Sequence, residues 1–258
     1  MLAAIAFCPS APVLVPELAA GAAAELDRLR RGCDAAVRAV VAAGVDQIIV
    51  LAAGPREAEY AGTAGGTLAG FGVDVRTGGS ASWRLEAGRP EGRTSAALPA
   101  SLTIGAWILD RVAPQSTGIR RLYQEVREDA PPSDIRRAAR ALAAARGNSA
   151  VLALGEGSAW RPESPGGYSD PRSQEYDEGV AEALARGDIR ALAAVDPIAA
   201  QLEASGRSVW PVVAEAMRMQ EAPVRAELID YQAPYGVTYF VAVWLADGPP
   251  GSGRVAAP

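Results

Sequence analysis

The chain has 258 residues, 49% of them hydrophobic, and a formal net charge of −5 at neutral pH. This length and hydrophobic content can bury one large core, so we expect a single domain. The acidic balance, without a stripe of basic residues interleaved with aromatics, argues against nucleic acid as a partner.

Two residue types are missing from the chain, and their absence excludes several classes of enzyme. There is no histidine, which is the commonest general base and the commonest protein ligand of zinc, copper and non-haem iron. All 25 basic residues are arginine, so a Schiff-base lysine and a P-loop lysine are excluded as well. Any chemistry must use carboxylates, hydroxyls, arginines, two thiols and the backbone.

The cysteines and the apolar segments indicate where the protein resides. Cys8 and Cys33 lack Cys-x-x-Cys spacing and are predicted to be reduced structural thiols. Residues 1–7 are apolar but lack a basic leader, and the apolar run 237–246 is about half of the roughly 20 residues that a membrane span needs. We therefore expect a soluble, cytoplasmic protein without a membrane partner.

The first half of the chain is predicted to open with a strand, a helix and a second strand. Apolar runs at residues 2–7 and 47–52 predict buried strands, and helical periodicity predicts a helix over residues 20–43. This unit is typical of a right-handed parallel crossover. The expected elements that follow are a glycine-rich loop over 62–79 containing a strand at 71–75, a strand at 83–85, a helix at 98–112, a strand at 118–126 and a helix from the Ser133 cap to Arg146.

The stretch around residues 150–170 is the predicted centre of the protein. The unbroken apolar run 150–154 predicts a buried parallel strand, and Gly155, Glu156, Gly157 and Ser158 form the loop after it. Loops at the carboxyl ends of parallel strands line ligand crevices, so we expect the functional site here.

The remaining elements complete an α/β fold. Asp170 before Pro171 predicts the start of a helix with Tyr176, Val180 and Leu184 on one face, and Asp196-Pro197 repeats that start signal. A helix at 208–220 and adjacent strands at 222–231 and 237–245 follow. The expected fold is a three-layer α/β domain over residues 1–246 with a mainly parallel central sheet flanked by helices, and the Gly/Pro-rich tail 247–258 is predicted to be disordered.

Four short motifs resemble an alanine-rich actinobacterial branch of the class III extradiol ring-cleavage dioxygenase superfamily, in the form of its catalytic chain. They are Cys8-Pro-Ser-Ala-Pro-Val-Leu-Val-Pro-Glu17, Gly155-Glu-Gly-Ser-Ala159, Pro165-Gly-Gly-Tyr168 and Ala233-Pro-Tyr-Gly-Val-Thr-Tyr239. Protocatechuate 4,5-dioxygenase and the Memo-like proteins belong to the same superfamily. The resemblance implies the extradiol dioxygenase-like scaffold and a ferrous iron held by two histidines and a carboxylate.

The residues at the positions that the resemblance assigns to this chemistry cannot perform it. The first histidine ligand corresponds to Ser10, the second falls near Arg56, and the acid–base histidine corresponds to Ala159. The carboxylate ligand falls in the region 230–235. Serine, arginine and alanine cannot replace neutral imidazoles as iron ligands. We therefore expect no metal ligands, no cofactor and no ring cleavage, which would make the chain a histidine-free pseudoenzyme.

Five residues are predicted to line the crevice and bind a ligand: Ser10, Arg56, Glu156, Ser158 and Tyr235. Arg56 could bind an anionic group or pair with Glu57 or Glu59. Glu156 could act as an acid or ligand anchor with Arg56 or Arg161 as partner, or accept bonds from backbone amides.

Ser158 is the second candidate for catalysis beside Glu156. The pattern Gly-x-Ser-x-Gly is not met because Trp160 replaces the second glycine, and no histidine can activate the hydroxyl. Ser158 is therefore expected to bind a ligand or close the turn.

The expected function is binding of a small molecule, which could be anionic, or of a protein partner, and self-association is left open. The alternative is an enzyme, either a metal-free acid–base catalyst that uses Glu156 or an atypical metal-dependent dioxygenase or oxidoreductase. A third alternative is a structural protein whose crevice is filled by its own side chains.

Overall fold

A central β-sheet organises the computed structural model, which describes residues 1–79, 97–112, 118–162, 168–194 and 196–246. Strand residues alternate between two buried faces, and the central strands are apolar on both, as parallel strands between helical layers are. The strands are β1 (Leu2–Cys8), β2 (Gln47–Gly54), β3 (Ala58–Tyr60), β4 (Gly65–Thr67), β5 (Arg76–Gly78), β6 (Arg120–Arg127), β7 (Ser149–Leu154), β8 (Val224–Gln232) and β9 (Tyr239–Ala246).

Seven of these strands form one sheet in the order β3-β6-β2-β7-β1-β9-β8, and β4 pairs with β5 in a separate hairpin. The four central strands β6, β2, β7 and β1 are mutually parallel. The outer strands β3, β9 and β8 are each antiparallel to the strand they join. The sheet is therefore mainly parallel at its centre, as predicted.

Helices cover both faces of this sheet. They are α1 (Pro16–Ala19), α2 (Asp27–Ala42), α3 (Ala100–Arg111), α4 (Pro132–Ala143), α5 (Arg172–Arg186), α6 (Ile189–Ala193), α7 (Ile198–Gln201) and α8 (Trp210–Gln220). The core on one face packs α2 and α3 against residues such as Val50 and Leu152. The core on the other face packs α4, α5 and α8 against residues such as Leu51 and Val151. This arrangement confirms the three-layer α/β fold class.

The strand order places a topological switch point between β2 and β7. After β2 the chain continues to β6 on one side of the sheet, whereas after β7 it continues towards β9 and β8 on the other. Because the two connections diverge, a gap forms outside the carboxyl ends of these strands, where open α/β sheets bind ligands.

Two aspartates stand at the starts of helices, as the sequence predicts. Asp170 Oδ1 accepts a hydrogen bond from the backbone N–H of Arg172 at 2.9 Å, and Asp196 Oδ1 accepts one from Ile198 N at 2.9 Å. Each carboxylate thus satisfies one of the free N–H groups at the start of its helix, α5 or α7. Both cysteines are buried and free.

Several local predictions were wrong. The expected strand at 71–75 is absent, and the pairing lies on either side of it, in β4 and β5. Residues 20–26 form a 3₁₀ helix, so the α-helix begins only at Asp27. Ser133 does not cap α4, because Pro131 occupies the N-cap and the Ser133 hydroxyl contacts only Asp134. Helix α6 and strand β3 were not predicted.

Two further predictions, the strand at 83–85 and the disordered tail at 247–258, lie outside the described residues. Among the helices that the structure describes, none combines the length and the apolar character needed to cross a membrane.

Candidate functional site

The carboxylate of Glu156 lies at the carboxyl end of β7 and accepts hydrogen bonds from two neighbouring segments. Ser10, just after β1, donates its backbone N–H to Glu156 Oε1 at 2.6 Å and its hydroxyl at 3.0 Å. The Ser205 hydroxyl donates to Oε2, and it accepts the backbone N–H of Glu156 at 2.7 Å. Because β1 and β7 are paired neighbours, their ends bring these groups together.

Burial controls the protonation of this carboxyl. Glu156 is only half-buried by its exposed area, yet desolvation raises the pKa of its carboxyl, and the hydrogen bonds from Ser205 and Ser10 offset only part of the rise. Burial, and secondarily the charge of Glu156, also raise the pKa of the Tyr239 phenol. We call Ser10, Glu156, Ser205 and Tyr239 the Glu156 cluster.

Ser158 belongs to a different, fully buried network. Asp177 of α5 accepts the Ser158 backbone N–H at 2.8 Å, the Ser158 hydroxyl at 2.5 Å and the Thr238 hydroxyl at 2.6 Å. An Arg161 guanidinium nitrogen lies 3.9 Å from the same carboxylate. Desolvation raises the pKa of Asp177 despite these donors. The Ser158 hydroxyl therefore closes the loop onto α5, in agreement with the turn-closing alternative.

Arg56 engages a third carboxylate. Its guanidinium lies 3.3 Å from the Tyr60 hydroxyl and 3.6 Å from Glu125 Oε2, and Tyr60 donates to that oxygen at 2.8 Å. Glu125 is fully buried, and its Oε1 has no hydrogen-bond partner in the part of the chain that the structure describes. This oxygen lies against Gly54, where an added Cβ would be 2.0 Å from it. Arg56 itself is mostly exposed.

Tyr235 adopts a left-handed backbone conformation with φ of 61°, which is unusual for a residue with a bulky side chain. Its hydroxyl donates to Glu25 Oε2 at 2.6 Å. That bond fastens the β8–β9 turn to the 3₁₀ segment before α2. Tyr235 is half-buried and packs against the core on the α2 face.

Of the five predicted ligand-binding residues, the structure brings Ser10 and Glu156 into direct contact. Ser158, Arg56 and Tyr235 each bind a different carboxylate: Asp177, Glu125 and Glu25. The partners that sequence reasoning missed are Ser205, Tyr239, Asp177 and Glu125. Only Asp177 and Glu125 carried a signal that could have found them, since each is an acidic residue within an otherwise periodic segment.

The charged groups of the site are satisfied mainly by hydroxyls and arginines. Within the described ranges, no group of three or more cysteine, aspartate or glutamate side chains is arranged to hold a metal ion. The chemistry that the Glu156 cluster can offer is therefore hydrogen bonding and proton exchange through one carboxyl and one phenol.

The raised pKa of Glu156 predicts a specific pH dependence of stability. Because the folded pKa exceeds the unfolded one, the contribution of Glu156 is fully present below the pH at which an unfolded glutamate titrates, and it is lost as the pH rises through the folded value. Glu156→Gln removes this loss. We expect urea unfolding of the two proteins between pH 4 and pH 8 to give a free-energy difference that shifts in favour of the variant as the pH rises, by about 1.4 kcal/mol for each unit that separates the two pKa values. Parallel curves would contradict the assignment.

Comparisons with known proteins identify a similar fold. No protein-family model matches the sequence, and a search of curated proteins found no match. Among solved structures, the crystal structure of the uncharacterized protein JW3007 from Escherichia coli K12 matches with a TM-score of 0.50 and 14% sequence identity, covering 94% of this chain and 99% of that one. At this identity the likeness establishes a shared fold alone, and it agrees with the three-layer α/β architecture.

Proposed function

We propose that the chain is a divergent relative of the extradiol dioxygenase superfamily that binds a small molecule at the Glu156 cluster without iron. The observation that carries the proposal is the position of the Glu156 carboxylate. It lies at the carboxyl ends of β1 and β7, beside the switch point, and remains partly accessible. The motif resemblance supports the superfamily, and the binding role is inferred from the polar groups of the cluster.

The residues at the family's ligand positions do not fit ferrous iron. The Ser10 amide and hydroxyl both donate to Glu156, so neither offers a lone pair directed at a metal in this arrangement. Arg56 is a cation held by Glu125 and Tyr60. Ala159 has no donor side chain, and its backbone N–H bonds to the Leu202 carbonyl. We therefore derive no step through iron for this protein.

The chemistry of the cluster favours a ligand that carries hydroxyl groups. A carboxyl accepts hydrogen bonds when ionised and donates one when protonated, and the Tyr239 phenol can donate or accept. Within the described residues, the Arg56 guanidinium binds Tyr60 and Glu125 rather than this carboxyl. A catechol or another small polyol suits these groups better than an anion, which Glu156 would repel.

Titration with catechol by isothermal calorimetry tests the binding role. We expect saturable binding to the wild-type protein and a loss of about tenfold in affinity in Glu156→Gln, since a hydrogen bond to a charged group is worth about 1.5–3 kcal/mol. Glu128→Gln is the matched control because Glu128 is exposed on the surface. Equal affinities in all three proteins, or no binding, would reject the site.

The second arm tests the absence of iron chemistry. After incubation with ferrous iron under anaerobic conditions and removal of unbound metal, we expect well under one iron per chain and, on return to air, no oxygen consumption with catechol. One iron per chain, together with oxygen uptake, would overturn the proposal and favour the metal-dependent oxidoreductase.

The raised pKa of Glu156 favours one enzymatic alternative, a metal-free acid–base catalyst. In that case the carboxyl would exchange a proton with the bound molecule, and Tyr239 would hold the ligand in place. Conversion of a bound hydroxylated probe, followed by NMR and lost in Glu156→Gln while binding persists, would identify this function.

A further inference from the structure

A second cavity, separate from the Glu156 cluster, lies between α5, α6, α7 and α8. Its volume is about 570 Å³, within the range of about 300–1,000 Å³ that is typical of small-molecule sites. Apolar side chains contribute to its walls, among them Val180, Leu192 and Trp210. Trp210 is fixed there by an edge contact with Phe240 at 5.6 Å between ring centroids.

The half-buried polar groups of the cavity are hydrogen-bond donors. Arg207 is half-buried, and one of its guanidinium nitrogens donates to the Ala204 carbonyl at 3.0 Å. Among the residues that the structure describes, no carboxylate forms an ion pair with it. Tyr176 is also half-buried, and burial raises the pKa of its phenol, which keeps the hydroxyl protonated as a donor.

The acidic residues of the cavity are exposed. Solvent screens the charges of Glu175 and Asp196, and Asp196 already accepts the Ile198 N–H. The other arginine of the cavity, Arg172, is exposed and paired with Asp170 at 2.6 Å. Of the two arginines in this described lining, the half-buried Arg207 is therefore the one without a counter-ion.

We propose that this cavity binds a small carboxylic acid with an apolar body, whose carboxylate pairs with the Arg207 guanidinium while its body packs against Trp210. A guanidinium recognises a carboxylate through two parallel N–H···O bonds, and such charge-assisted bonds are about twice as strong as neutral ones. The Tyr176 hydroxyl supplies a further donor. This site does not depend on the function proposed for the Glu156 cluster.

An NMR titration with benzoate and its neutral analogue benzamide tests the proposal. We expect benzoate to bind one site per chain and about tenfold more tightly than benzamide, because only the carboxylate gains the charged interaction. Arg207→Met keeps the apolar stem but removes the charge, and should lower benzoate affinity to that of benzamide. Arg186→Met is the control, since Arg186 is exposed and pairs with Glu182 on the surface.

Two further variants separate this site from the rest of the protein. Ala191 is an exposed residue that lines the cavity, so Ala191→Phe should fill the entrance and abolish benzoate binding without unfolding the protein. Glu156→Gln should leave benzoate affinity unchanged, whatever its effect on catechol. Absence of saturable benzoate binding, equal affinities for benzoate and benzamide, or full affinity in Arg207→Met would each overturn the proposal.

Discussion

Replacement of Asp177 by alanine is expected to lower the free energy of unfolding by about 3–5 kcal/mol, the range found when one member of a buried charged network is removed. Asp177 is fully buried and is the common acceptor for the Ser158 amide, the Ser158 hydroxyl and the Thr238 hydroxyl. Without the carboxylate these donors remain buried without an acceptor, and each such loss costs about 1–3 kcal/mol. Urea unfolding followed by circular dichroism measures the change.

Two comparisons make this prediction specific to the network. Asp177→Asn keeps one acceptor oxygen and should be less destabilised than the alanine variant. Asp129→Ala removes a carboxylate that pairs with Arg127 on the surface, where ion pairs contribute little, so its unfolding curve should lie close to that of the wild type. If Asp177→Ala were as stable as Asp129→Ala, the buried network would not stabilise the fold.

The central strands of the fold were predictable because their signals are local. The apolar runs of β1, β2 and β7 are continuous, as buried parallel strands require, and the sequence locates them to within two residues. The short strands β3, β4 and β5 span three residues each, so no periodicity can reveal them. Their pairing depends on partners elsewhere in the chain.

The 3₁₀ segment before α2 illustrates a different limit. Its alanine-rich composition favours an α-helix, yet Ala20 adopts a positive φ of 47° and Gly21 follows it. The helix therefore begins at Asp27, where Arg30 binds back to Asp27 and to the carbonyl of Leu14. These tertiary contacts override the local preference.

The functional residues were predicted where the loop after a strand could be located, and missed where the partner is distant. Ser10 and Glu156 each follow a predicted strand, so adjacent strand ends bring them together. Asp177 looks like a solvent-facing helix residue between its charged and polar neighbours, because its partners lie 19 and 61 residues away in the chain. Arg56 was expected near Glu156, but the unpredicted strand β3 brings Tyr60 and Glu125 to it instead.

The segment that follows α7 links the two proposed sites. Ser205 donates to the Glu156 carboxylate, and Gly206 donates its backbone N–H to the Glu156 carbonyl at 3.0 Å. Arg207 and Trp210, which follow in the chain, line the cavity between the helices. The position of this segment thus affects the geometry of both the Glu156 cluster and the cavity.

Gly155→Ala is expected to displace this segment and to destabilise the protein by about 1–3 kcal/mol, the usual cost of overpacking. An added Cβ would lie 2.6 Å from Gly206 Cα and 2.9 Å from Gly206 N, both of them backbone atoms. Gly206 has little room to retreat, because a Cβ on it would lie 2.2 Å from Trp210 Cε2. The bonds from residues 205 and 206 to Glu156 should therefore weaken.

The expected result for Gly155→Ala is a lower urea midpoint together with weaker catechol binding, since the donors that hold Glu156 are moved. Gly179→Ala is the matched control: Gly179 lies within α5, nothing is within 4 Å of its added Cβ, and alanine should stabilise the helix by up to about 1 kcal/mol. A Gly155→Ala protein with the wild-type midpoint and unchanged binding would mean that the contact between the β7 loop and residues 205–206 does not hold Glu156 in position. A lower midpoint with unchanged catechol affinity would instead separate the packing of this loop from the binding of the ligand.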